Sequence, residues 1–304
     1  MTLTELRYLV TLAQTGHFGK AAEACHVSQP TLSIALKKLE DELGVTLIER
    51  SKNRILPTPV GEKIIQQAQT VLNQANVIQE IANTGKNSLC SPLRLGAIYT
   101  IGPYLLPHLL PELKRLAPTM PLVIEENYTG VLRRKLVDTQ LDAILIALPF
   151  NEADVVTKPL YEEPFVVLMP KQHRLAAQKQ IDPASLADEM VLLLGEGHCF
   201  RDQVLQFCPG LAERFKHDDY ALAASANTSL DTLKHMVASG LGITVLPRSA
   251  AGLTHYAAQE LCIRHFTADG PRRTVALAWR ASFPRFEAID ILCQAVTQCR
   301  VVEA

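Results

Sequence analysis

Between Glu62 and Asn83 the chain carries no glycine and no proline, and Ile64, Ala68, Val71, Ala75, Ile78 and Ala82 recur at spacings of four and three. That is the rhythm of one long helix with a single apolar seam, close to three heptads. Such a seam needs a facing surface. A second copy of the same helix is the simplest one, and packing on its own domain is the plain alternative. Thr58 and Pro59 supply an N-cap and a first-turn proline. The helix divides the 304 residues into a small N-terminal part and a large C-terminal part. Residues 84–92, with Gly85, Asn87 and Ser88, read as a hinge between them.

The N-terminal part reads as three short helices. Thr2 and Glu5 make a capping box, followed by Leu6, Leu9, Val10 and Ala13 at helical spacing until Gly16. An alanine-rich helix follows over 19–26. Ser28 then caps a third, from Gln29 to Leu43, with Leu32, Leu36, Leu39 and Leu43 inward and Gly44 as the stop. A last helix that opens with polar hydrogen-bonding residues is the helix-turn-helix layout, here over about 18–37, whose second helix enters the major groove N-terminus first. Ser28, Gln29, Pro30, Thr31, Ser33 and Lys37 form its expected DNA-facing set. Glutamine reads adenine, and hydroxyls bond to either base type. The stretch 46–57 reads as two short strands around a basic turn, with Arg50, Lys52 and Arg54 suited to phosphates. A net charge of −1 gives no global basic field, so a DNA site must be a local patch. A plain helical bundle with a polar surface is the alternative.

The C-terminal part alternates apolar strands with amphipathic helices, an α/β pattern with mostly parallel pairing expected. Strands are predicted at 93–98, 122–126, 143–147, 165–169, 191–194, 243–246 and 275–279. Helices are predicted at 104–116, 131–136, 199–208, 229–239 and 285–299.

Seven cysteines lie scattered at 25, 90, 199, 208, 262, 293 and 299, with no CxxC or Cys/His zinc spacing, so no metal site is expected. No signal peptide or membrane-length apolar run is visible, and a cytoplasmic location is expected, where disulfides tend to be transient or sensing. Cys199 has His198 and Arg201 as neighbours and Cys208 nine residues on. Cationic neighbours or a helix N-terminus favour the thiolate, and an oxidised Cys199 would present a sulfenic acid to Cys208. If the segment is helical, nine steps separate the two Cα atoms by about 13 Å. A disulfide needs less than about 7 Å, so oxidation would have to refold the segment. Two buried cysteines acting as small hydrophobes are the equal alternative.

The run Phe18-Gly19-Lys20-Ala21-Ala22, with Ser28 to Ser33 and Leu36 to Arg50, resembles the winged helix-turn-helix of the LysR-type transcriptional regulators. In the C-terminal part, 102–107, 195–203, 240–247 and 271–274 look like the peroxide-sensing members of that family. The resemblance implies a winged helix-turn-helix domain over 1–58 and a linker and dimerisation helix with hinge over 59–90. It implies a redox-sensing regulatory domain over 91–304 that is similar to periplasmic solute-binding proteins. Subdomain I would cover about 91–162 and 268–304, subdomain II about 163–267, with a cleft between them.

Carried over by position, the resemblance makes Cys199 the peroxidatic and Cys208 the resolving cysteine, joined as a disulfide after oxidation. Thr100 and Thr129 would hold hydrogen peroxide; helix-capping is their plain alternative. Arg273 would lie near the thiolate, or else be a surface cation. Asp202 would orient neighbouring donors, or only favour its helix start. The chain departs from the best-known members at Tyr99, where proline is expected. The implied protein is not an enzyme and takes no cofactor. It is a dimer, and a tetramer through its regulatory domains. It binds promoter DNA, recruits RNA polymerase to activate antioxidant genes, and is reset by a thiol reductant such as glutaredoxin. The alternatives are a LysR-type regulator sensing a small metabolite in the cleft, a thiol enzyme, and a solute-binding protein. An enzyme leaves residues 1–60 without purpose, and no third residue is identifiable to orient a Cys–His pair.

Overall fold

A computed structural model describes residues 1–50, 55–84, 89–217, 228–252, 260–267 and 270–299. They divide into two compact units, Met1–Lys86 and Asn87–Ala304.

In the first unit, α1 (Leu3–Thr15), α2 (Phe18–Ala24) and α3 (Gln29–Leu43) follow from their caps. The Thr2 hydroxyl accepts from the Glu5 amide at 3.3 Å and the Glu5 carboxylate accepts from the Thr2 amide at 2.8 Å. His17 caps α2 through its imidazole Nδ1, which accepts from the amides of Gly19 and Lys20. Ser28 caps α3, and Gly44 ends it in the left-handed conformation at φ 68°, which favours glycine. Leu9, Leu12, Ala21, Leu32, Leu36 and Leu39 close the core; Leu43, expected inward, is 37% exposed. Strands β1 (Ile48–Arg50) and β2 (Ile55–Pro57) pair antiparallel to form the wing. The Glu40 carboxylate accepts from the amides of Leu47 and Ile48, so α3 fixes where the wing begins.

The long helix is α4, Pro59–Thr84. Its seam is shared between two tasks. Ala68 is buried in the core of its own unit, with Ile64 packed against that core, whereas Val71 is 37% and Ile78 69% exposed. The start of the predicted seam therefore covers its own domain, because α1 offers it an apolar face, while Val71 and Ile78 further on are exposed.

In the second unit, β3 (Leu93–Ile98) is flanked in parallel by β4 (Leu122–Asn127) and β5 (Ala143–Ala147). Helices α5 (Gly102–Leu116) and α6 (Thr129–Val137) make the crossovers. The sixteen-residue strand β6 (Val155–Pro170) then passes from one core to a second. Beyond it come β7 (Gln180–Ile181), β8 (Val191–Leu192), α7 (Cys199–Phe207), α8 (Pro209–His217), α9 (Leu230–Ala238), β9 (Ile243–Pro247) and β10 (Leu261–Phe266). Strand β11 (Arg272–Arg280) returns antiparallel to β6, and α10 (Phe286–Gln298) closes the chain.

Pairing is mixed rather than mostly parallel. Strand β11 runs antiparallel to β5 and β6, and β6 antiparallel to β9 and β10. The cause is the double passage: the chain leaves the first core along β6 and comes back along β11, so these two strands oppose their neighbours. Tyr161 packs on the first core and Phe165 belongs to the second, which places the passage between them.

Candidate functional site

In α/β sheets, ligands bind beyond the carboxyl ends of parallel strands. Here β3 runs out into Tyr99 and Thr100, β4 into Tyr128 and Thr129, and β5 into Leu148. Against these ends lies the start of α7. Gly197 holds φ at +90°, which favours glycine, and turns the chain so that His198 becomes the N-cap and Cys199 the first helical residue.

Cys199 and Cys208 belong to different cores. Cys199 is half-buried and packs against the first core, which holds β3, β5 and β11. Cys208, at the C-cap of the same helix, is 2% exposed inside the second core with Phe200 and Val204. Between them the Gln203 amide donates to the Leu148 carbonyl at 3.1 Å, tying α7 to the end of β5. Nine helical steps keep the two Cα atoms about 13 Å apart, so a disulfide demands local unwinding. Both cysteines are free thiols here. Burial pushes the Cys208 thiol up to about 11. At pH 7 about one molecule in ten thousand carries that thiolate. Alkylation of Cys208 in the native reduced protein is therefore expected to be at least tenfold slower than that of Cys199. Equal rates by timed labelling would contradict this burial.

Among the described residues, Thr129 Oγ1, Gln203 Oε1 and Arg201 Nε are buried in this region without a hydrogen-bond partner. Each of these groups can take a further hydrogen bond. Gln203 lies one turn beyond Cys199, on the same helix face. Thr129 is the first residue of α6 rather than its cap, so capping does not occupy its hydroxyl.

Arg273 is not a surface cation. It is 2% exposed, and its Nε donates to Glu163 Oε2 at 2.7 Å. It also donates to the Thr100 hydroxyl at 2.9 Å and to the Thr100 carbonyl at 2.8 Å. Glu163 faces it directly across the β6–β11 ladder and accepts from the Ser249 amide at 3.0 Å. Because the Thr100 oxygen already accepts from a guanidinium, its own proton is left to donate. The arginine thus reaches the site through Thr100.

One expectation about charge needs correction. His198 is 7% exposed, its ring set against Tyr128 and Tyr99 at 4.7 and 6.1 Å between centroids. Burial lowers its pKa, which favours the neutral ring over the cation expected from the sequence. Arg201 has the exposed Glu196 at 4.0 Å. Cys199 is the first residue of α7, and no side chain caps the amides of that helix start. Asp202 is exposed in the first turn of α7 and makes no hydrogen bond among the described residues.

On α3, Gln29, Pro30, Thr31 and Lys37 are exposed and Ser33 is half-buried. The Ser28 and Thr31 hydroxyls lie 2.8 Å apart. Sequence reasoning missed Ile34, which is 69% exposed, one turn beyond Pro30. Its departure from the buried leucine spacing was the available signal. Lys52 and Arg54 lie outside the described residues, as does the Arg50 side chain.

Residues 3–62 match the family model described as bacterial regulatory helix-turn-helix protein, lysR family, and 86–299 that of the LysR substrate binding domain. The DNA-binding transcriptional dual regulator OxyR of Escherichia coli K12 is 38% identical, over 97% of this chain and 95% of that protein. The chain belongs to the OxyR group of the LysR family. A full-length OxyR variant from Pseudomonas aeruginosa superposes with a TM-score of 0.76 at 57% identity, covering 100% of this chain and 97% of that one. A cysteine-to-serine variant of Corynebacterium glutamicum OxyR, bound to hydrogen peroxide, superposes with a TM-score of 0.61 at 33% identity. It covers 98% of this chain and 92% of that one. As a LysR-family member, the chain is a DNA-binding transcriptional regulator. Among the described residues, no helix is long and apolar enough to cross a membrane.

Proposed function

We propose that this OxyR-group regulator senses hydrogen peroxide through Cys199 and reports it by forming a disulfide with Cys208. The observation that carries this reading is the placement of the two thiols in two cores at opposite ends of one helix, beside unpartnered polar atoms. The Cys199 thiolate attacks one peroxide oxygen, the O–O bond breaks, and hydroxide leaves with the electron pair and takes up a proton. Donors at Thr100 and Thr129 stabilise the charge that develops on the departing oxygen. Cys208 then displaces water from the sulfenic acid, closing the disulfide. The helix has to unwind for this, Cys199 leaves the first core, and the two subdomains lose a shared support. Peroxide serves here as the signal that closes the disulfide, so the chain is a sensor and not an enzyme. A reducing thiol such as glutaredoxin would reset it.

A Cys208→Ser variant treated with one equivalent of hydrogen peroxide should accumulate a sulfenic acid at Cys199, captured by a dione probe and located by mass spectrometry. Capture at another cysteine, or none, would refute the assignment. A response to effector that survives Cys199→Ser would favour the small-metabolite reading.

The DNA-bound protein works as a dimer through α4, where Val71 and Ile78 are exposed, and as a tetramer through its regulatory domains. It acts in the cytoplasm on promoter DNA and recruits RNA polymerase to antioxidant genes. Ser28, Gln29, Pro30, Thr31, Ser33 and Lys37 face the major groove, and Arg50 and Arg54 the phosphates. Gln29→Ala should weaken specific binding by about 1–3 kcal/mol and leave non-specific binding nearly unchanged. Equal loss in both would refute base reading. Ile34, exposed beside these residues, would touch thymine methyl groups. Replacing operator thymines by deoxyuridine should weaken the unmodified protein several-fold and leave Ile34→Ala indifferent. An equal response of both proteins would remove Ile34 from the interface.

A further inference from the structure

Three aromatic rings meet at the mouth of the site, and each belongs to the residue just before a site residue. Tyr99 precedes Thr100, Tyr128 precedes Thr129, and His198 precedes Cys199. The Tyr99 and Tyr128 rings stand edge to face at 5.3 Å, and the Tyr128 and His198 rings at 4.7 Å. Tyr128 also lies 3.4 Å from the point where a side chain would begin at Gly197. Tyr128 and His198 hold the N-cap positions of α6 and α7, yet neither caps its helix with its side chain. Serine, threonine, aspartate or asparagine at these positions would contribute about 1 kcal/mol each. That stabilisation is forgone at both helix starts, and what the residues make instead is contact with each other.

We propose that Tyr99 and Tyr128, through the ring of His198, are positioning residues. They lock the ends of β3 and β4 to the start of α7, and so fix the Thr100 and Thr129 hydroxyls relative to the Cys199 sulfur. The inference rests on the peroxide reading above. Edge-to-face pairs contribute beyond their buried area, and a displacement of about 1 Å between reacting groups lowers rates by up to about a hundredfold. Tyr99 acts through its ring alone: its hydroxyl makes no hydrogen bond among the described residues, and the residue is 39% exposed. Its Phe variant should therefore behave as the unmodified protein.

The test compares two reactions of the same thiol in the full-length chain. Oxidation of Cys199 by hydrogen peroxide needs the hydroxyl donors; alkylation by iodoacetamide does not. Tyr99→Ala and Tyr128→Ala are expected to slow oxidation about 10- to 100-fold while alkylation stays within about twofold. Tyr99→Phe is expected to restore the oxidation rate, and Tyr99→Leu, which retains apolar bulk, to leave it slow. Oxidation and alkylation falling together, or oxidation unchanged in both alanine variants, would overturn the proposal. Unmodified protein in which Cys199 resists peroxide would remove the peroxide reading, and this proposal with it.

Discussion

Cys199→Ser is expected to abolish the response to peroxide completely and to leave DNA binding by the reduced protein unchanged. A serine hydroxyl stays protonated at pH 7 and does not attack an O–O bond, so the first step has no substitute. The substitution is nearly isosteric at a half-buried position, so the cost in stability should stay within about 1 kcal/mol. Cys208→Ser separates the steps: Cys199 is still oxidised, but α7 has no reason to unwind. Promoter induction with all three proteins reads this directly. Induction retained in Cys199→Ser would contradict the sensor; induction retained in Cys208→Ser would leave the sensor and remove the disulfide as its signal.

The second large effect is expected at the passage between the two cores. Glu163 and Arg273 are 0% exposed at their side chains and face each other on β6 and β11. Removing one partner from such a pair strands a buried charge and costs about 3–5 kcal/mol, whereas replacing both by apolar residues is often neutral. Glu163→Leu and Arg273→Met should therefore each destabilise the regulatory unit strongly, and the double variant should recover most of the loss. Trp279, the single tryptophan, lies on β11 and is an internal probe of unfolding in urea. The double variant carries a further expectation. Without the guanidinium nothing commits the Thr100 oxygen to accepting, so peroxide oxidation of Cys199 should stay about tenfold or more slow although the fold has recovered. Recovery of stability and rate together would reduce the pair to a structural role.

Much of this was legible where local chemistry acts alone. Thr2, Ser28, Gly16 and Gly44 mark helix ends because caps are satisfied within a few residues of chain. The apolar runs of β3 and β5 are read from their near-complete burial. The first half of β6 was not legible. Lys158, Pro159, Glu162, Glu163 and Pro164 look like a loop, and only the antiparallel partner β11 makes a strand of them. Arg273 could be named but not placed, because a lone arginine does not show that its carboxylate lies on another strand. His198 reads as a cation until Tyr99 and Tyr128, distant in sequence, bury it. The orphaned hydroxyl of Thr129 looks like an ordinary helix start in the sequence, and only the finished packing shows it unpartnered.

The central claim is that one oxidation links the two ends of α7 and changes the protein on DNA. Thiol mapping by mass spectrometry before and after one equivalent of hydrogen peroxide, with a promoter footprint on the same two samples, tests it most directly. A Cys199–Cys208 disulfide together with an altered footprint is the predicted result. Free thiols at both positions with an unchanged footprint would contradict it.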